Sequence, residues 1–170
     1  MTHDDLYQDA VKTYGPALDR LVRAYEMDPE KRRDLSQEIH FALWISLKNY
    51  EARCSLRTWV YRIAHNTAAT YIVRQRRSKI ENLVSLNDLD TTSHPSDAAR
   101  DSEERLALAR LYELIHRLKP LDRQLMLLYL EDMDTASIAE ITGISPVNVR
   151  SQIHRIKVLL TQRFHAGGPA

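Results

Sequence analysis

Residues 135–155 read TASIAEITGISPVNVRSQIHR, and this stretch decides which fold the chain encodes. Two segments with apolar residues at helical spacing flank a glycine and a Ser-Pro pair. Ala139 is small where two helices would cross closely, and Gly143, four residues on, suits the left-handed backbone that closes a helix. Ser145 is a natural N-cap, and Pro146 fits a first helical turn. Beyond them Val149, Ile153, Ile156 and Leu160 predict one buried stripe. This is the layout of a helix-turn-helix. Its alternative is an αα-hairpin packed inside a larger helical bundle.

In a helix-turn-helix the N-terminal part of the second helix enters the DNA major groove, where its side chains reach base edges. Val147 and Asn148 lie at that start, Ser151, His154 and Arg155 face away from the buried stripe, and Arg150 flanks them. Arg150, Arg155 and Lys157 suit phosphates, whereas Asn148, Ser151 and His154 are candidates for base reading. No acid follows Glu140.

Working outward, helical spacing of apolar residues recurs along most of the 170 residues and β-alternation is nearly absent. Only four glycines and six prolines are present, few for a turn-rich sheet protein. The expected fold is all-α: two small helical domains, 1–77 and 102–170, joined by an acidic linker, 78–101. In the first domain a helix from about residue 4 is expected to stop at Gly15-Pro16, and a second to reach about residue 25. Asp28 and Pro29 form another start signature, for a helix to about residue 48 that buries Leu35, Ile39, Ala42, Leu43 and Leu47. A polar loop, 49–55, leads into a helix over about 56–76. In the second domain Leu106, Leu111, Leu114, Ile115 and Leu118 mark one helix, Pro120 punctuates, and a helix over 121–130 and two shorter ones follow.

Composition removes several function classes. With 44% hydrophobic and 28% charged residues the chain reads as a soluble globular protein. A lone cysteine, Cys54, excludes an internal disulfide and fits a reducing compartment. Seven histidines lack metal-ligand spacing, so no metal site is expected. No apolar run approaches the ~20 residues of a membrane span, and the first residues are acidic rather than signal-like; the expected location is the cytoplasm. There is no nucleophile with a partner base and no phosphate loop, so no catalytic residue, no cofactor and no enzyme activity are expected.

The net charge of +1 hides segregation. Residues 52–79 hold seven Lys/Arg and no acid, residues 81–104 hold seven acids and one Arg, and the C-terminal basic run completes the pattern. Two basic segments around an acidic one suit two contacts with one polyanion. The alternative is two solvated helix faces.

The first basic segment, RTWVYRIAHNTAATYIVRQRR (57–77), mixes large aromatics with five arginines. On a helical wheel Leu56, Val60, Ile63, Thr67 and Tyr71 form the core line. Trp59, Arg62, Asn66, Ala69, Val73 and Arg76 follow a second line, and Tyr61 and His65 lie opposite the core. Aromatics stack on unpaired bases at about 1–3 kcal/mol per base and arginines hold phosphates. The competing reading packs Trp59 under the adjacent loop.

Three motifs in order resemble the extracytoplasmic-function (ECF) sigma factors of bacterial RNA polymerase. Asp34-Leu-Ser-Gln-Glu38 followed by Ala42-Leu-Trp44 resembles the family's polymerase-docking helix, which implies that Asp34, Gln37 and Glu38 bind core polymerase. Ser55-Leu-Arg-Thr-Trp-Val-Tyr-Arg-Ile-Ala-His-Asn66 resembles the run that recognises and melts the −10 promoter element. The resemblance implies −10 contacts from Arg53, Arg57, Trp59, Arg62, His65, Asn66, Arg74 and Arg76, with the 49–55 loop receiving a flipped base. Residues 130–155 resemble the −35-binding unit, with contacts from Val147, Asn148, Arg150, Ser151, His154 and Arg155. Thr70, Asn148 and Gln152 depart from the family's common Asp, Thr and Arg. The implied partners are core RNA polymerase, promoter DNA and an anti-sigma factor. The alternative is a stand-alone helix-turn-helix regulator, which leaves the 34–38 and Trp59 regions without a purpose.

Overall fold

The first helix starts on a reciprocal cap. Thr2 Oγ1 accepts from the Asp5 N–H at 3.2 Å while the Asp5 carboxylate accepts from the Thr2 N–H at 2.8 Å. The structure, a computed structural model, describes residues 2–85 and 102–167, and all its regular elements there are helical. Helix α1 (His3–Tyr25) runs unbroken through Gly15-Pro16, where the sequence predicts two helices. Pro16 and Lys12 are both exposed, so water can reach the carbonyl that proline leaves unserved. Gly15 lacks the Cβ that would clash with a following proline ring in a helix.

Asp28 caps α2 (Pro29–Ser46), accepting from the Glu30 N–H at 2.9 Å, and Pro29 takes the first turn as expected. The helix buries Leu35, Ile39 and Leu43, then tightens into a 3-10 turn (Leu47–Asn49) that buries Leu47; Ala42 is only partly buried. Helix α3 (Leu56–Ser85) extends past the expected end near residue 76, because no glycine or proline interrupts residues 77–85. The rest of the expected linker, 86–101, lies outside the described residues. Along α3 the core line is Val60, Ala64, Ala68 and Tyr71, all within 1% of full burial; Leu56, Ile63 and Thr67 are half-buried. Two alanines on that line let α3 lie close against α1 and α2.

The second domain comprises α4 (Glu103–His116), α5 (Pro120–Leu130), α6 (Thr135–Thr142) and α7 (Pro146–Ala166). The last helix has 21 residues and is not short. At the α4–α5 corner the Arg123 guanidinium is buried, donating to the carbonyls of Ile115 at 3.4 Å, Leu118 at 3.2 Å and His116.

The two domains pack together through α1, α3, α4, α5 and α6. Arg123 faces the Tyr25 ring at 5.4 Å, Arg23 covers the Tyr112 ring at 4.6 Å, and His116 Nδ1 lies 3.3 Å from the Ala24 carbonyl. Between them is a cavity of about 210 Å³ bounded by Leu21, Tyr61, His65, Leu111, Ile115 and Leu127, among others.

Candidate nucleic-acid interface

The α6–α7 unit is built as its residue types require. Asp134 caps α6, accepting from the Ser137 N–H at 2.9 Å, and these hydrogen bonds hold its carboxyl below the ordinary carboxylate range. Gly143 ends the helix at φ +77°, with its N–H on the Ala139 carbonyl at 2.9 Å. Ser145 Oγ then accepts from the Asn148 N–H at 3.3 Å and Pro146 opens α7. Thr142, polar where an apolar residue usually packs, satisfies its hydroxyl on the Ile138 carbonyl at 2.7 Å.

The predicted stripe of Val149, Ile153, Ile156 and Leu160 is buried throughout. Its burial fixes the rotation of α7 and turns Val147, Asn148, Arg150, Ser151, His154 and Arg155 to solvent. Val147 is 71% exposed at the helix start. All six lie on one accessible surface; within it Arg155 reaches the Asp122 carboxylate at 3.3 Å. Lys157 meets the Tyr129 hydroxyl at 3.1 Å and its ring at 4.9 Å.

On the first domain the 50–55 loop is held from below. Tyr50 donates to the Cys54 carbonyl at 2.8 Å and its ring lies 5.4 Å from that of Trp59. Trp59 Nε1 donates to Ser46 Oγ at 3.2 Å. Trp59 is thus half-buried, packed under the loop on one side and open on the other. Ala52 takes a left-handed backbone, φ +57°, which keeps the loop tight, and exposed Arg53 pairs with Glu51 at 2.6 Å. Cys54 carries a free thiol.

The expected strand-holding residues do not share one surface. Asn66 and Arg76 are exposed, and Trp59 and Arg62 are half-buried beside them. Arg62 pairs with Glu140 of α6 at 2.7 Å, and Arg57 donates to the Glu131 carbonyl. Arg74 lies on a different side, where it pairs with Glu38 of α2 and covers the Tyr71 ring. His65 requires a correction. Expected opposite the core, it is 1% exposed, and Nδ1 meets the Tyr25 hydroxyl at 2.9 Å. Tyr61 is buried too. Both lie where the second domain covers α3, a surface the helical wheel of one helix treats as solvent. Burial lowers the His65 value to about 3, so the ring is neutral.

The α2 surface carries exposed Asp34 and Gln37 with partly exposed Glu38, which with Phe41, Tyr71 and Gln75 bound a shallow open depression. Phe41 is 64% exposed and Ile45 44%. An exposed aromatic in line with these acids marks an interaction surface better than the acids alone.

Sequence comparison resolves what this combination is. The family described as Sigma-70 region 2 matches residues 10–78, and Sigma-70 region 4 matches residues 108–160. The ECF RNA polymerase sigma-E factor of Haemophilus influenzae is 30% identical over 138 residues, covering 77% of this chain and 73% of that protein. The chain belongs to the ECF RNA polymerase sigma factors. RNA polymerase sigma factor NccH of Alcaligenes xylosoxydans xylosoxydans is 26% identical over 89% of this chain and 82% of its own length. Among solved structures, the sigma factor RpoE in complex with the anti-sigma factor NepR, from Bartonella quintana, shares the fold at a TM-score of 0.71. It is 17% identical and covers 96% of this chain and 98% of its own. CnrH in complex with the cytosolic domain of CnrY gives a TM-score of 0.66 at 20% identity, over 95% of this chain and 89% of its own.

As a sigma factor, the protein is a transcription-initiation subunit that brings RNA polymerase to promoters. No helix among its described residues is long and apolar enough to cross a membrane. Residues that sequence reasoning passed over are Phe41 and Ile45 on α2, Arg20 on α1, and Glu131 and Glu140 facing α3. Phe41 and Ile45 had a usable signal: they stand four apart, off the buried Leu35–Ile39–Leu43 line. The other three had none, because their partners are distant in the chain.

Proposed function

We propose that this sigma factor divides promoter recognition between its two domains, 1–77 and 102–170, with the 78–101 segment as the connection. The α2 surface of Asp34, Gln37 and Glu38, extended by Phe41, docks on core polymerase. The 50–55 loop with Arg53, and the α3 side chains Arg57, Trp59, Arg62, Asn66 and Arg76, hold the opened −10 strand. Arg74, paired with Glu38, stiffens the junction between that surface and the docking helix. Asn148, Ser151 and His154, with Val147 at the helix start, read −35 base edges in the major groove, while Arg150 and Arg155 grip its flanks.

The observation that carries this reading is the rotation of α7: a fully buried apolar stripe presents all six expected contact residues to solvent from a capped, acid-free helix. The protein works by binding and delegation, leaving bond-making to the polymerase, and it acts in the cytoplasm. We also infer control by an anti-sigma factor, a reading supported by the solved neighbour RpoE, which is held in complex with the anti-sigma factor NepR.

The test is run-off transcription by core polymerase on a promoter library, with and without the protein. New start sites sharing −10 and −35 sequences are expected. No new start sites and no complex with core would overturn the reading.

A further inference from the structure

Arg20, Arg57 and Tyr61, from two helices of the first domain, converge on one residue of the second. Arg20 Nε and Nη2 donate to the two Glu131 carboxylate oxygens at 2.6 and 2.8 Å, the forked geometry that guanidinium offers to carboxylate and phosphate alike. Tyr61 donates to Glu131 Oε2 at 3.2 Å, and Arg57 donates to the Glu131 carbonyl. Burial, with the Glu131 charge adding to it, raises Tyr61 to about 12, so its hydroxyl remains a donor at neutral pH. Glu131 caps the C-terminus of α5, where the last carbonyls add negative potential, and Asp132 turns the chain there at φ +55°. The cradle therefore receives an oxygen-rich, anionic group, about as a phosphodiester would present itself.

A second observation points the same way. Arg20, Arg57 and Arg62 all donate across to the second domain, to Glu131 or Glu140, with Arg57 also lying against Tyr61 of its own helix. When the second domain leaves, the three guanidinium groups lose these cross-domain partners together. Arg57 and Arg62 are themselves among the residues proposed to hold the strand, so the freed donors belong to that assignment.

We propose that Arg20, Arg57 and Tyr61 form a phosphate site for the opened promoter strand, and that Glu131 fills this site while the domains are packed together. The inference rests on the assignment of α3 to the −10 strand, and it adds Arg20 and Tyr61, which that assignment lacks. It makes strand capture and domain packing competing outcomes at one set of donors: the packed form is closed to single strands but keeps its α7 surface open to duplex.

The experiment uses the full chain and a dye-labelled single-stranded oligonucleotide carrying the non-template −10 strand of a promoter the protein transcribes. Glu131→Gln should bind this strand about tenfold more tightly than wild type, the scale of one charge-assisted interaction removed from the competitor. Its radius of gyration by small-angle scattering should rise. Adding Arg20→Gln to Glu131→Gln should return the affinity towards wild type and shift the salt dependence by about 0.7 in log–log slope, one single-strand phosphate contact. Arg20→Lys in the same background, which keeps the charge and loses the fork, should fall between. Affinity for a −35 duplex, equal in all variants, controls for folding. Equal strand binding by wild type and Glu131→Gln, or by Glu131→Gln with and without Arg20→Gln, overturns the proposal. If wild type drives no promoter-dependent transcription with core polymerase, it is the assignment of α3 that fails instead.

Discussion

The two basic surfaces of this sigma factor are built on opposite plans. On α7 the contact residues stand on a helix whose apolar side is fully satisfied within its own domain, so they face solvent in the packed protein. On α3 Arg57 and Arg62 are engaged by Glu131 and Glu140 of the other domain, and Tyr61 and His65 on the same helix are buried. On the proposed assignment, duplex reading is a property of one domain alone and strand holding depends on where the second domain sits.

The sharpest way to break that contrast is to destroy one side. Val149 is fully buried, and Val149→Asp places an unpaired carboxylate in the second domain's core, which should cost about 4 kcal/mol or more. Amide exchange should then show α4–α7 unprotected and α1–α3 still folded, with −35 binding lost. Equal loss of protection in both domains would mean that they form one cooperative unit, and the contrast would fail.

Acid should act next, and on the covered surface. His65 is held from its ordinary 6.5 down to about 3 by burial, so the packed form takes up fewer protons than an opened one between those values. Its contribution is intact above pH 6.5 and declines as pH falls, by about 1.4 kcal/mol per pH unit for one proton. Glu131 has the same sign: its hydrogen bonds with Arg20 lower its value, and that contribution is lost below the ordinary carboxylate range. His116, lowered mainly by burial, adds in the same direction. Scattering from pH 7 to pH 4 should show the domains separating, and His65→Gln should flatten the early part of the profile. An unchanged radius across that range would contradict the reading.

The smallest effects should come from the open surface. Arg150→Ala is expected to leave melting unchanged and reduce the salt slope of −35 duplex binding by about 0.9, one phosphate contact, for all sequences alike. A change in sequence preference instead would move Arg150 among the base readers.

What the residues announced in advance follows the range of the forces involved. Asp28-Pro29, Gly143 and Ser145-Pro146 act within one turn, and each appears where a local cap or a left-handed backbone is required. The Val149–Leu160 stripe repeats at the helical period and was equally legible. Helix α1 was misjudged at Pro16 because the sequence does not say that packing of Ala17, Leu18 and Leu21 will hold the helix together across it. His65 and Tyr61 were misplaced for a deeper reason. Their cover, and the Arg20–Glu131 contact, join residues far apart in the chain, with no periodic or local signature linking them. Arg74 sits with Glu38 for the same reason.

Arg123 gives the domain contact a further character. Its guanidinium is permanently charged, 3% exposed, bound to three carbonyls at its own corner and faced across the interface by the Tyr25 ring. A cation in that position loses hydration on closure and regains it on opening. Rehydration on opening therefore offsets part of the apolar contact that separation gives up. Domain separation then costs less than the apolar contact alone would set, which lowers the difference in partner affinity needed to drive it.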